Sequence, residues 1–141
     1  MIPYSRQTIE ADDVEAVTAA LRHDYLTGGP IVEDFEAALA EYVKYPYAVA
    51  LNSGTAALQA VYAWLSHKLG VKCAVTSPLT FMATSSAAGA VELKYSDIDE
   101  NTLNMPVAGW PANATVIGVD FAGMPCVGEN EEPTALTIID S

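Results

Sequence analysis

A run of small and polar residues without charge, SGTAA at 53–57, follows an apolar segment and precedes an apolar pattern of helical period. The start of a helix exposes unpaired backbone N–H groups and the positive end of the helix dipole, which together suit a phosphate group. Gly54, Ala56 and Ala57 carry little side chain, so an anion can approach the backbone, and Ser53 or Thr55 can add a hydroxyl. The alternative is that Ser53 only caps the helix. An ordinary capping box would have Glu or Gln where Ala56 stands.

Three further residues stand at or just after apolar segments of strand length: Phe81, Asp120 and Asp140. A carboxylate at the end of a strand can hold a cationic ring nitrogen, or it can cap the following turn. Both interpretations stay open for Asp120 and Asp140. Phe81 follows "SPLT" and is a candidate for stacking on a planar ligand, although most phenylalanines belong to a core.

Other chemistries lack their motifs. His23 and His67 fall on predicted helices with neither an HExxH pattern nor a carboxylate partner in sequence, and no GxSxG elbow, Walker lysine loop or GxGxxG occurs. Cys73 and Cys126 are far apart and have no CxxC partner, so the sequence predicts neither a metal site nor a disulfide framework.

The elements that must position these residues alternate between helical and strand periods, which predicts an α/β fold with a mainly parallel sheet. Ligands in such sheets gather at the carboxyl ends of the strands. Those ends are Asn52-Ser53, Ser77-Pro78, Asp120 and Asp140. Helices are predicted over Glu10–His23, 31–44, 54–69 and Met82–Ala90, and strands over 47–51, Cys73–Thr76, 91–95, 114–120 and 135–140.

The composition and net charge limit which classes of partner the chain can bind. Its 141 residues are 51% hydrophobic and 17% charged, which is typical of a globular domain. The net charge of −12 argues against nucleic acid and against anionic membrane surfaces. No signal-peptide core and no apolar run of membrane length occurs, so we expect a cytoplasmic protein. No Asp or Glu stands between Tyr45 and Val91, so an anion bound there would meet no carboxylate from that stretch.

The chain has, in this order, a turn suited to an anion, an aromatic residue after the next strand and an Asp that ends a strand. The sequence around these residues resembles the DegT/DnrJ/EryC1/StrS family. The resemblance extends over all 141 residues. Within the family, the sequence is most similar to the branch that makes 4-amino sugars on nucleotide carriers. The segments that carry it are the opening "IPYSRQTIEADDVEAVTAALRHDYLTGGPIVEDFEAALAEYV", then "ALNSGTAAL", "TSPLTFMATSSAA", "VDFAGMP" and the terminal "IIDS".

This resemblance implies a three-layer α/β fold, the N-terminal part of the large domain of a pyridoxal phosphate (PLP) enzyme, as one partial domain over 1–141 with N-terminal helices in 1–45. It implies transfer of an amino group from an amino acid, glutamate in this family, to a nucleotide-linked keto-sugar, by a homodimer with sites at the interface. Gly54, Thr55 and Ala56 would bind the PLP phosphate, Phe81 would lie against the ring, and Asp140 would pair with the ring nitrogen. The segment 26–30, LTGGP, would lie near the sugar or the partner subunit.

The family's Schiff-base lysine lies beyond the position that matches Asp140, so no catalytic residue is assigned. Each of the four lysines matches a non-catalytic position of the family, and we expect a truncated chain that is inactive alone. Some relatives are dehydratases with another residue in place of the lysine. The alternative from another class is a non-catalytic α/β module that binds a phosphate or nucleotide, or another protein. The lysines are Lys44, Lys68, Lys72 and Lys94.

Overall fold

A computed structural model describes residues 6–106, 114–126 and 136–141. The chain divides into two compact units, Met1–Ala50 and Leu51–Ser141, and each is described by itself. The predicted single domain over 1–141 stays a prediction. No helix in the described ranges combines the length and the apolarity needed to cross a membrane.

The first unit contains two helices, α1 (Ala11–Leu21) and α2 (Pro30–Val43). Pro30 occupies the start of α2 as predicted, where its missing N–H costs nothing. Gly29 caps α2 with a φ of +88°, and a Cβ there would approach the side chain of Tyr25 to 3.1 Å, so this position requires glycine. Neither helix contains a buried residue, and the predicted apolar stripe of α1 is exposed.

The predicted strand over 47–51 is wrong. No secondary structure forms there, and Tyr47 and Val49 are 85% and 75% exposed. The backbone N–H of Ala50 donates instead to Glu36 Oε1 at 2.8 Å. An apolar run becomes a strand only when its backbone groups pair with a neighbouring strand, and no described strand pairs with this one.

The second unit is an α/β assembly, as predicted. Its sheet is wholly parallel in the order β2-β1-β3-β4. Ala74 and Val75 of β1 face Leu93 and Lys94 of β2 on one side and Thr115 and Val116 of β3 on the other. The elements are α3 (Gly54–Lys68), β1 (Cys73–Thr76), α4 (Met82–Ser86), β2 (Glu92–Tyr95), β3 (Thr115–Val119), a 3₁₀ turn (Phe121–Gly123) and β4 (Leu136–Asp140).

The boundaries follow local chemistry. α3 ends before Gly70, whose φ of +69° favours glycine, as predicted. α4 is shorter than the predicted Met82–Ala90, because the chain turns through Ala87 to Gly89, and Gly89 takes a φ of +58°. The β2 segment is an edge strand, which explains the alternation seen in its sequence.

The core of this unit lies mainly on one face of the sheet. Tyr62 and Leu65 of α3 pack there with Ala83 of α4 and Ile117 of β3. On the other face Val116 packs with Met105, and Val75 lies partly buried against them. Successive residues of β3 therefore contribute to both faces, as expected for a central parallel strand. The third layer of the predicted architecture stays a prediction.

Candidate functional site at the carboxyl edge of the sheet

The strand order reverses between β1 and β3. The chain passes from β1 outward to β2 on one side, and then returns to place β3 and β4 on the other side of β1. This reversal marks the carboxyl ends of β1 and β3 as the candidate edge of the sheet. Such a topological switch point is where ligands bind in open α/β sheets.

The start of α3 is directed toward this edge. Only residues 69–72 separate the end of α3 from β1, so the helix runs back against the direction of the strand. Ser53 is the N-cap, and its Oγ accepts a hydrogen bond of 3.1 Å from the N–H of Ala56. Both interpretations of this turn therefore keep support. The cap exists, yet within the described residues nothing accepts from the N–H of Gly54 or Thr55.

Phe81 lies at the same end of the sheet, because it follows β1 and caps α4. Its side chain is 78% exposed, so it does not belong to the core. Its carbonyl accepts a hydrogen bond of 3.1 Å from the N–H of Thr84. A phenylalanine with an open ring face at a switch point suits contact with a planar ligand.

Asp140 ends β4 and is tied to α4. Thr84 Oγ1 donates to Asp140 Oδ2 at 2.5 Å, and Thr84 Oγ1 also lies 2.6 Å from Thr80 Oγ1. No partner of Asp140 Oδ1 is found in the described ranges. The carboxylate is thus held through one oxygen, and the other is available to a ligand.

Tyr62 completes this polar cluster from α3. Its hydroxyl donates to the carbonyl of Thr84 at 2.7 Å, and its side chain is 2% exposed. Burial raises the pKa of Tyr62 to about 12, with smaller contributions from the charge of Asp140 and from Tyr95. The phenol therefore stays protonated and remains a donor at neutral pH.

Asp120 has a structural role in the turn after β3. Its Oδ1 accepts from the N–H of Cys126 at 2.9 Å, and its own N–H donates to the carbonyl of Asp140 at 2.9 Å. Burial raises the pKa of the Cys126 thiol to about 12, and the neighbouring Asp120 adds to the rise. Asp120 therefore caps the turn that follows β3, which is one of the two roles that the sequence left open for it.

Of the sequence-derived candidates, Phe81 and Asp140 both contact Thr84, whereas Gly54, Thr55 and Ala56 form the first turn of α3. Sequence reasoning missed Thr80, Thr84 and Tyr62. A polar residue inside an apolar pattern is a weak signal, and the two threonines are four residues apart without lying on one long helix. Only the packing of α3, α4 and β4 brings the three side chains together.

Parallel strands, a switch point and this set of edge residues define an α/β protein with a candidate ligand site at the carboxyl edge of its sheet. A sequence model of the DegT/DnrJ/EryC1/StrS aminotransferase family matches residues 7–129. This match covers most of the chain, and the chain therefore belongs to that family, whose aminotransferases depend on PLP.

The relatives include sugar-modifying enzymes. A UDP-4-amino-4,6-dideoxy-N-acetyl-beta-L-altrosamine transaminase of Campylobacter jejuni is 41% identical over a 135-residue alignment that covers 87% of this chain and 35% of that protein. The sugar aminotransferase CalS13 of Micromonospora echinospora superposes with a TM-score of 0.78 at 30% identity, covering 89% of this chain and 36% of CalS13. Spr1654 of Streptococcus pneumoniae, solved in its PLP form, gives 0.76 at 27% identity, covering 89% and 33%. The chain thus spans about a third of the length of these proteins.

Proposed function

We propose that this chain carries the cofactor-binding edge of a PLP-dependent aminotransferase, which moves an amino group from an amino acid, glutamate, to a nucleotide-linked keto-sugar. The observation that carries the proposal is that Phe81 and Asp140 are both hydrogen-bonded to Thr84 at the carboxyl edge of the sheet. Family membership and the transaminases among the relatives support the reaction class. The relative that acts on a UDP-linked amino sugar supports a nucleotide-sugar substrate.

The residues present fit PLP. The N–H groups of Gly54 and Thr55 have no described acceptor, and a Cβ at Gly54 would meet no atom within 4 Å, so a phosphate group has room there. The phosphate would share the N–H of Ala56 with Ser53, whose hydroxyl already accepts from it. The helix start contributes positive potential without any carboxylate from residues 45–91.

Phe81 and Asp140 would contact the pyridine ring of the cofactor. Phe81 offers an exposed aromatic face for stacking, and Asp140 offers Oδ1 to the ring N–H. A carboxylate in that place holds the proton on the ring nitrogen. When PLP is bound, its protonated ring supplies an electron sink for the substrate carbon. The protein side of the mechanism is therefore to bind the phosphate, orient the ring and keep one proton in place.

We propose that this chain does not transaminate by itself, because the lysines of its second unit lie away from this edge. Lys68 and Lys72 precede β1 and lie toward the amino edge of the sheet, about 13 Å from the carboxyl edge for a four-residue strand. Lys94 is exposed inside the edge strand β2. Lys44 belongs to the first unit, where it ends α2.

We place the protein in the cytoplasm as a homo-oligomer. Val14, Val17 and Leu21 of α1 are 58–67% exposed, and an apolar stripe of this kind suits contact with a partner subunit. The LTGGP segment, 26–30, would face the sugar or the partner subunit. The net charge of −12 supports neither nucleic acid nor an anionic membrane as a partner.

The test is a titration of the purified chain with PLP, followed by visible absorbance and by quenching of intrinsic fluorescence. We expect saturable binding that Asp140→Asn and Thr55→Pro weaken, while Asp12→Asn, on exposed α1, serves as the matched control. Borohydride treatment should add no phosphopyridoxyl mass. Binding of UDP at the same site without any binding of PLP would favour the non-catalytic nucleotide module. A covalent PLP adduct on one of the four lysines would contradict the inactivity of the chain.

A further inference from the structure

A chain of hydroxyl groups ends on the carboxylate of Asp140. Thr84 Oγ1 donates to Asp140 Oδ2 at 2.5 Å and lies 2.6 Å from Thr80 Oγ1. Thr84 has one hydroxyl hydrogen, and the carboxylate accepts it. The hydrogen between the two threonines must then come from Thr80. The direction is therefore Thr80 to Thr84 to Asp140, so each bond polarises the next toward the negative charge.

Thr84 is itself fixed by burial and by hydrogen bonds at both of its backbone groups. Its side chain is fully buried, at 0% exposure. The hydroxyl of Tyr62 donates to its carbonyl at 2.7 Å, and its N–H donates to the carbonyl of Phe81 at 3.1 Å. Full burial and β-branching restrict χ1 of Thr84. Its hydroxyl is held in place by its hydrogen bonds with Thr80 and Asp140.

Thr84 also links two residues of the proposed cofactor site. Through its backbone it contacts Phe81, and through its side chain it contacts Asp140. One buried residue is thus hydrogen-bonded both to Phe81, whose ring would stack on the cofactor, and to the carboxylate that would pair with it. Asp140 is only partly buried, so other donors or water could satisfy its carboxylate. The need to satisfy this carboxylate therefore does not by itself explain why Thr84 contacts both residues.

We propose that Thr84 is a positioning residue that holds Asp140 by Oδ2 and so aims Oδ1 at the ring nitrogen of the cofactor. The inference rests on the proposed function for the identity of the ligand. Thr84 does not touch the cofactor and acts only through Asp140. A misaimed carboxylate would leave the ring N–H poorly paired, which weakens cofactor binding without removing the carboxylate.

The experiment compares Thr84→Val, which replaces the hydroxyl by a methyl group, with Thr84→Ser, which keeps it. PLP affinity is measured by titration of the 141-residue chain. We expect Thr84→Val to weaken PLP binding about 10-fold, as for loss of a hydrogen bond to a charged group, and Thr84→Ser to restore most of it. Thr80→Val breaks the chain one step earlier and should cost only about 2-fold. If Thr84→Val does not fold, Thr84→Cys replaces it; because a thiol is a weaker donor than a hydroxyl, its PLP affinity should lie below that of Thr84→Ser.

A double mutant separates positioning from packing. In an Asp140→Asn background, Thr84→Val should cause no further loss of affinity, because its only route to the cofactor is gone. Equal losses in both backgrounds would overturn the proposal, as would equal affinity of wild type and Thr84→Val. If instead Asp140→Asn leaves PLP affinity unchanged, the proposed function fails and not only the role of Thr84.

A second readout needs no cofactor. The side-chain carboxyl ¹³C resonance of Asp140, assigned by its loss in Asp140→Asn, reports the hydrogen bond directly. We expect Thr84→Val to move this resonance and Thr84→Ser to return it toward the wild-type position. An unchanged resonance in Thr84→Val would show that the hydroxyl does not hold the carboxylate, and it would overturn the proposal whatever the affinity for PLP.

Discussion

The hydroxyl of Tyr62 on α3 donates a hydrogen bond of 2.7 Å to the backbone carbonyl of Thr84 on α4. This bond joins two helices that pack on the same face of the sheet, and it does so within the core. α4 has only five residues, so it holds its place by such tertiary contacts more than by its own helical hydrogen bonds. The position of α4 at the carboxyl edge of the sheet thus depends on the buried hydroxyl of Tyr62.

Tyr62→Phe should destabilise the second unit by about 1–3 kcal/mol, because a buried carbonyl loses its partner while the ring volume is kept. Urea unfolding followed by circular dichroism measures this free energy. Tyr42→Phe is the matched control, since Tyr42 is 85% exposed and should change stability by less than about 0.5 kcal/mol. Equal effects of the two substitutions would contradict the role of this bond.

Stability should fall as the pH rises from about 10 to about 12. An unfolded tyrosine ionises near the ordinary pKa of 10.0, whereas burial, followed by Asp140 and Tyr95, raises the pKa of Tyr62 to about 12 in the folded chain. Between these values the folded state binds more protons, so the stabilisation is complete below pH 10 and is lost as the pH passes 12. The loss is about 3 kcal/mol at most. Unfolding measured along this range should be less pH-dependent in Tyr62→Phe, and identical pH profiles would refute the assignment.

Gly118→Ala should destabilise the sheet, because a Cβ there would lie 2.6 Å from Cys126 Sγ and 3.3 Å from Ile139 Cδ1. Overpacking of this kind costs about 1–3 kcal/mol. Cys126→Ala removes the sulfur and should recover part of that loss in the double mutant, which thermal unfolding can measure. Gly28→Ala, where a Cβ would meet no atom within 4 Å, is the control. Additive effects of Gly118→Ala and Cys126→Ala would show that the sulfur is not the obstacle.

Phe81→Leu should weaken PLP binding about 3- to 10-fold through loss of aromatic stacking. The same substitution should leave the free energy of unfolding within about 0.5 kcal/mol, since Phe81 is 78% exposed. Its neighbour Met82 is 75% exposed, and Met82→Leu should change neither quantity. A large loss of stability in Phe81→Leu, or unchanged PLP affinity, would place this ring outside the proposed site.

Periodicity in the sequence predicted the helices and the parallel strands that carry the edge of the sheet, and it located Asp140 at a strand end and Phe81 just after a strand. It failed at 47–51, where an apolar run has no described strand to pair with, and at the end of α4, where Gly89 takes a positive φ. Periodicity reports which residues prefer burial. It does not report whether a backbone partner exists.

The sequence by itself determined the α/β class, the parallel strands and the family to which the chain belongs, because these depend on local residue patterns and motifs. Only the tertiary structure decided the strand order, and with it the switch point between β1 and β3. It also decided that Thr84 contacts Asp140, 56 positions away in sequence. The physical reason is that sheet order and buried hydrogen bonds arise from packing between distant segments, and nothing in the spacing of the residues records which segments will meet.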